Sequence, residues 1–178
     1  MKRLILVFLV AGLSLKSQAQ KYIAEKGVIS FFSDATIEDI KAENAMVGSL
    51  FNSTTGDLVY IVKIKDFKFD KSLMREHFNE KYMETEKFPK STFEGKVTGF
   101  KPGVSGEQKV KAVGKLTIHG VTRNIDIPGT VEFANGKALV KSKFMVKLVD
   151  YSIKIPQLVW QNIAEEIEVR IDFTYRPI

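Results

Sequence analysis

His77 and His119 are the only imidazoles in this chain of 178 residues, and there is no cysteine. These are residue types from which a hydrolase or a metal site could be built. Nucleophilic hydrolysis needs a hydroxyl or thiol beside a base that is itself oriented by a carboxylate. Either histidine could be that base, and Ser and Asp residues are plentiful, but no Gly-x-Ser-x-Gly elbow is present. A metal site needs His, Asp or Glu at helical or strand spacing. Glu76 and Glu80 share a helical face at i, i+4, and His77 lies off that face. The structural alternatives are simpler. His77 would be a ring hydrogen-bonded at a helix–barrel seam, and His119 a turn residue tied to a backbone carbonyl. They outweigh the chemical ones, so no catalytic residue, metal ligand or cofactor is assigned.

The elements that must hold these residues are mostly strands. Ile167, Val169, Ile171, Phe173 and Tyr175 alternate with Glu166, Glu168, Arg170, Asp172 and Thr174. Leu58, Tyr60, Val62 and Ile64 repeat the pattern, as do Ala138, Val140, Ser142, Phe144, Val146 and Leu148. Period-2 alternation with one apolar face marks antiparallel sheet buried on one side. Turn residues separate the runs, most clearly Asn135-Gly136, which suits a type I′ hairpin. The pattern predicts strands over 21–24, 28–33, 41–51, 57–66, 91–100, 108–118, 121–133, 137–148 and 165–176, with the first two combining as one bent strand. About eight long strands of this kind either pack as two sheets or close into a barrel. Closure removes the exposed edges and leaves an interior for side chains or one small ligand.

Two segments depart from alternation. Residues 71–83 predict one helix, with Asp70 as N-cap and Met74, Phe78 and Tyr82 on one stripe that caps a barrel end. Residues 150–164 are apolar for a connection, and Pro156 prevents a helix from running through them.

Gly114 alternates with Val110, Ala112, Leu116 and Ile118 on the expected inward face, and Gly95 and Gly99 do so with Phe93 and Val97. Small inward residues mean a sharp bend or an unfilled interior. The chain has 13 Phe, 5 Tyr and 1 Trp, many of them around the helical segment. Most are ordinary core, yet together they suit a pocket for an apolar ligand.

The start of the chain reads as an export leader. Met1-Lys2-Arg3 is basic, Leu4 to Leu15 is apolar, and Ser17-Gln18-Ala19 is a small-x-small cleavage site. The apolar run is shorter than the ~20 residues of a membrane-spanning helix. Residues 1–19 are therefore expected to be a signal peptide, and residues 20–178 one domain in the periplasm or outside the cell. The formal net charge is +6. Lys2, Arg3 and Lys16 belong to the leader, so the remainder carries +3. Lysines spread along strands are not a nucleic-acid footprint, and membrane contact is at most peripheral. Monomer and homodimer are both open.

Taken together, a helical Arg75-Glu76-His77-Phe78, then Phe88-Pro89 with Phe93, then Gly114-x-Leu116-Thr117-Ile118-His119-Gly120-Val121-Thr122 resembles the YceI-like lipid/polyisoprenoid-binding family. The order and the intervals both fit. The resemblance implies an all-β, lipocalin-like antiparallel β-barrel with one α-helix covering an end. It also implies a non-catalytic protein that holds an apolar lipid such as a polyprenyl or quinone-like chain. Expected lining residues are Met74, Phe78, Phe93, Leu116, Phe144 and Trp160. The motif positions themselves look architectural. Two rivals predict different structures. A lipid-modifying enzyme needs His77 or His119 in the cavity beside a carboxylate, and a protein-interaction barrel has a filled interior.

Overall fold

The computed structural model describes residues 21–34, 39–102, 104–155 and 164–178. The expected leader and Trp160 lie outside those residues. The described strands are β1 (Lys21–Ser33), β2 (Ile40–Asn44), β3 (Gly48–Asn52), β4 (Asp57–Lys63), β5 (Lys68–Phe69), β6 (Lys90–Thr98), β7 (Gly106–Ile118), β8 (Val121–Ala134), β9 (Lys137–Lys147) and β10 (Glu166–Pro177). A single α-helix among them, α1 (Ser72–His77), covers one end.

Eight strands form a closed antiparallel barrel in the order β1-β3-β4-β6-β7-β8-β9-β10, with β10 pairing back to β1. β2 continues the wall along the second half of β1, and β5 adds to β2. The inward face of the alternating pattern supplies the core. Phe173 and Tyr175 of β10 are fully buried, as are Val131 and Ala138. The outward residues carry ladders of opposite charge, such as Lys143–Glu168 at 2.7 Å and Lys147–Glu166 at 3.1 Å.

The two ends of the barrel differ. At one end, Tyr22, Phe51, Phe100, Phe133 and Tyr175 stack with ring centroids 5.6–6.5 Å apart and fill the interior. Tyr175 donates to the Tyr60 hydroxyl at 3.0 Å and shares a 2.6 Å hydrogen bond with Ser49. Burial pushes the Tyr175 phenol up to about 12. It raises Tyr60 in the same direction, with the Tyr175 hydroxyl adding to the shift. The other end, beneath α1, is hollow.

The segments read at 21–24 and 28–33 form one bent strand, as expected, with a bulge between Ala24 and Lys26. Other sequence expectations shift. The single strand expected over 41–51 is broken into β2 and β3. Asn44, fully buried, folds an Asx turn by accepting from the Met46 N–H at 2.8 Å, and its amide donates to Lys63 O at 2.9 Å. The strand expected to 66 ends at Lys63 in a 3₁₀ turn.

The helix expected over 71–83 is α1 followed by a π-helical turn, Phe78–Tyr82. Asp70 is not its cap. Lys71 occupies that position in an extended conformation with no capping side-chain bond, one residue later than expected. The wide turn closes with Met83 N–H on Phe78 O at 2.8 Å. It keeps Phe78 on the barrel side, which tertiary packing demands and helical periodicity cannot foresee.

Candidate functional site

The hollow end encloses a cavity of about 470 Å³. Its walls come from β1, β4, β6, β7, β8, β9 and β10, among them Ile29, Leu58, Val62, Val97, Ile127, Val140 and Val169. Polar lining is sparse: Ser33, Ser91, Thr92 and Ser142 on the strands, the phenols Tyr60 and Tyr82, His77 on α1, and Lys141 where β9 meets β8. A space of that size and character matches the roughly 300–1,000 Å³ of apolar ligand pockets.

The cover is aromatic. Phe78 stacks on Phe31 at 5.4 Å with an interplanar angle of 23°. It also meets Phe67 at 5.7 Å and Phe69 at 5.0 Å. Four rings from β1, the β4–β5 connection, β5 and the π-helical turn thus close over the cavity. Met74 and Tyr82 join Phe78 in the lining, so the predicted i, i+4, i+8 stripe does face the barrel. Phe93, Leu116 and Phe144 line the walls, which brings five of the six expected lining residues together. The sixth, Trp160, is outside the described residues. Sequence reasoning missed Phe31 as a cover residue. Phe31 lies next to Phe32 in a strand, and period alone does not say which of the two turns inward.

The glycines resolve in favour of bending. Gly95 of β6 faces Gly114 of β7. A Cβ on Gly114 would meet Glu94 O at 2.3 Å, and one on Gly95 would meet Val113 O at 2.4 Å and the Phe93 ring at 2.7 Å. Backbone and the Phe93 ring fill the space beside the pair, so the cavity is not made by missing side chains there.

The two histidines are placed apart. His119 is buried in the β7–β8 turn with φ 50°, followed by Gly120 at φ 75°. Its Nδ1 meets Tyr151 O at 3.2 Å, as the structural reading expected, and its Nε2 meets a Glu84 carboxylate oxygen at 3.1 Å. Lys87 and then His119 hold the Glu84 carboxyl below its ordinary value. Phe88 packs edge-on against His119 at 4.5 Å, and a Cβ on Gly120 would meet that ring at 2.5 Å. Thr117 and Thr122 share a 2.8 Å hydroxyl bond across the same hairpin. The Gly114–Thr122 motif therefore builds a turn clamped beneath Phe88.

His119 has a carboxylate but does not line the cavity. His77 lines it, yet has neither the hydrogen bond expected at a helix–barrel seam nor a carboxylate partner among the described residues. It sits at the end of α1, beside Phe78 of the aromatic cover. No histidine among the described residues combines both features that an acid–base role in the cavity requires. No group of three or more His, Cys, Asp or Glu suited to a metal occurs among them either.

Solved structures share this barrel. A polyisoprenoid-binding domain from Saccharophagus degradans superposes with a TM-score of 0.75 at 16% identity, covering 88% of this chain and 98% of its own. Burkholderia cenocepacia BcnA matches with a TM-score of 0.70 at 15% identity, covering 83% of this chain and 95% of its own. The Campylobacter jejuni YCEI protein matches with a TM-score of 0.63 at 17% identity, covering 79% and 86%. At these identities the likeness establishes the fold. No curated protein matches the sequence. The model of the YceI-like domain, however, matches residues 21–175, from the first strand of the barrel to the last. With the clamped Gly114–Thr122 hairpin and the helix-covered barrel both in place, the chain belongs to the YceI-like family.

Proposed function

We propose that this protein is exported and holds one long apolar lipid, a polyisoprenoid or quinone-like chain, inside the barrel without transforming it. The observation that carries this reading is the apolar cavity of about 470 Å³ beneath α1. A flexible hydrocarbon placed there leaves water along its length, worth roughly 25 cal/mol per Å² of apolar area before the loss of chain freedom. Met74, Phe78, Phe93, Leu116 and Phe144 would contact the tail, with Trp160 joining from the β9–β10 connection. The ligand class follows the Saccharophagus degradans domain, which is a polyisoprenoid-binding one. Export follows the basic, apolar and small-x-small pattern of residues 1–19, and implies a periplasmic or secreted single domain over residues 20–178. Among the described residues, His77 has no carboxylate partner and His119 does not line the cavity, which supports binding over catalysis.

Native mass spectrometry of the protein from its own host, followed by organic extraction, tests the proposal. A co-purifying polyprenyl or quinone-like mass is expected. Ligand-free protein that also takes up no added isoprenoid or long-chain fatty acid would overturn it.

A further inference from the structure

The barrel wall is split beside the cavity. The β8–β9 ladder runs from Ala134–Lys137 to Gly129–Ser142 and stops there, although β8 begins at Val121 and β9 ends at Lys147. Pro128 is the cause. The N–H and C=O of a strand residue point to the same neighbouring strand. Pro128 O accepts from Ser142 Oγ of β9 at 2.6 Å, so its nitrogen faces β9 too, and that nitrogen carries no hydrogen. The next ladder pair, Pro128 with Lys143 by extension of the register, lacks its donor. Gly129 marks the last close approach, since a Cβ there would meet Lys141 O at 2.6 Å. Beyond it β8 pairs with β7 and β9 with β10. Only past the split does Arg123 Nε reach across to Asp150 O, at 2.9 Å.

The split opens onto the hollow half of the barrel rather than the aromatic plug. Pro128, Gly129, Lys141 and Ser142 line both the cavity and a groove on the outer wall. That groove carries Lys109, Lys111, Lys141, Lys143 and Arg170, with Asp172 in its lining 3.9 Å from Lys141. Carboxylates nearby hold most of these cations: Asp126 lies 3.0 Å from Lys111, and Glu168 lies 2.7 Å from Lys143 and 2.6 Å from Arg170. Lys109 has no ion pair among the described residues. Exposed pairs of this kind are weak and exchange readily for an incoming anion.

We propose that the split is a side entrance to the cavity, and that its ligand is an amphiphile with an anionic head, a phosphate or a carboxylate. The chain passes between β8 and β9 while the head rests in water among Lys109, Lys111, Lys141 and Lys143. This rests on the lipid-holding reading above and adds the ligand's head group and its route. A charged head cannot enter the apolar interior without losing its hydration. Insertion from the side spares it that step, whereas insertion beneath α1 must part the Phe78 cluster.

The native chain has no cysteine, so Asp126→Cys with Met145→Cys, opposite each other by extension of the register, creates one disulfide across the split. Formation is verified by intact mass. Pro128→Val is the second variant, because it restores the missing N–H. Loading is followed by native mass spectrometry with geranylgeranyl phosphate, geranylgeraniol and inorganic phosphate. Closing the split by either variant is expected to slow loading of both chains about tenfold or more, with reduction of the disulfide restoring the rate. Lys109→Gln with Lys143→Gln should weaken geranylgeranyl phosphate about tenfold and leave geranylgeraniol unchanged. Unaltered loading in both the linked and the Pro128→Val proteins would overturn the entrance. Equal loss of both chains in the lysine variant, or inorganic phosphate binding as well as the amphiphile, would overturn the head-group assignment. Failure of the unaltered protein to take up either chain would instead overturn the lipid-holding reading itself.

Discussion

Phe78→Ala tests whether the aromatic cover is a structural part of the cavity. The Phe78 ring meets three others, Phe31 at 5.4 Å, Phe67 at 5.7 Å and Phe69 at 5.0 Å. Truncating a fully buried Phe costs about 3–5 kcal/mol, and each well-placed ring pair contributes about 0.5–1.5 kcal/mol beyond its buried area. Phe78 is half-buried, so roughly half the full figure applies, about 2 kcal/mol. That corresponds to a roughly 30-fold fall in the folded-to-unfolded ratio. Urea unfolding of the ligand-free protein, followed by far-UV circular dichroism, reads the loss as a lower midpoint at unchanged slope. Phe78→Leu keeps an apolar group in the same place and should recover more than half of it. A bound chain should also leave Phe78→Ala faster than the native protein. A loss below about 0.5 kcal/mol, the range of an ordinary surface substitution, would show that the ring rests on the barrel without holding it closed.

Three further outcomes follow from the same geometry. Burial raises the Tyr175 phenol from 10.0 to about 12, so its contribution is complete below pH 10 and lost as pH rises toward 12. Two units correspond to about 2.7 kcal/mol; urea midpoints from pH 9 to 11.5 should fall in the native protein and fall less in Tyr175→Phe, and parallel curves would refute the assignment. Affinity for saturated fatty acids should rise by up to about 0.8 kcal/mol, roughly fourfold, per added CH₂ until the chain fills the cavity. Ala112→Phe on the cavity wall should bring that plateau to shorter chains, and calorimetry showing no dependence on chain length would count against interior binding. Gly120→Ala places a Cβ 2.5 Å from the Phe88 ring at φ 75°, which should cost about 1–3 kcal/mol and lower the melting temperature; an unchanged melting temperature would mean that Phe88 does not clamp the hairpin.

The barrel was legible because its signals are local. Ile167 to Tyr175 alternate so regularly that only one face can be buried, and the same holds for Leu58 to Val62 and Ala138 to Val146. Asn135-Gly136 announced a turn with two positive φ values, and the chain adopts φ 52° and 74° there. The Met74, Phe78 and Tyr82 stripe was also legible, since i+4 spacing survives even where the helix widens into a π turn. The break at Asn44 was not. Asn44 breaks the strand through an Asx turn to Met46 and is held there by a bond to Lys63, 19 residues away, and the alternating pattern reads straight through it. The glycines at 95 and 114 were ambiguous for the same reason: whether a missing side chain leaves a bend or a hole depends on what the neighbouring strand places there.

The sequence by itself determined the period, the glycine-marked turns and the inward face of the cleanly alternating strands, because these depend on residues close to one another in the chain. It also determined that one chain segment would be helical and aromatic-rich. Only the tertiary structure decided that one end of the barrel is plugged and the other hollow. That division depends on which rings meet across the interior: Tyr22 with Phe51 and Phe133 at one end, and Phe31 with Phe67, Phe69 and Phe78 over the other. It likewise separated the two histidines, giving His119 a carboxylate outside the cavity and His77 a place in the cavity without one. Pro128 shows the boundary most clearly. Its missing N–H is written in the sequence, but that the gap faces β9 beside an apolar cavity follows from the register of two ladders, which no local pattern encodes.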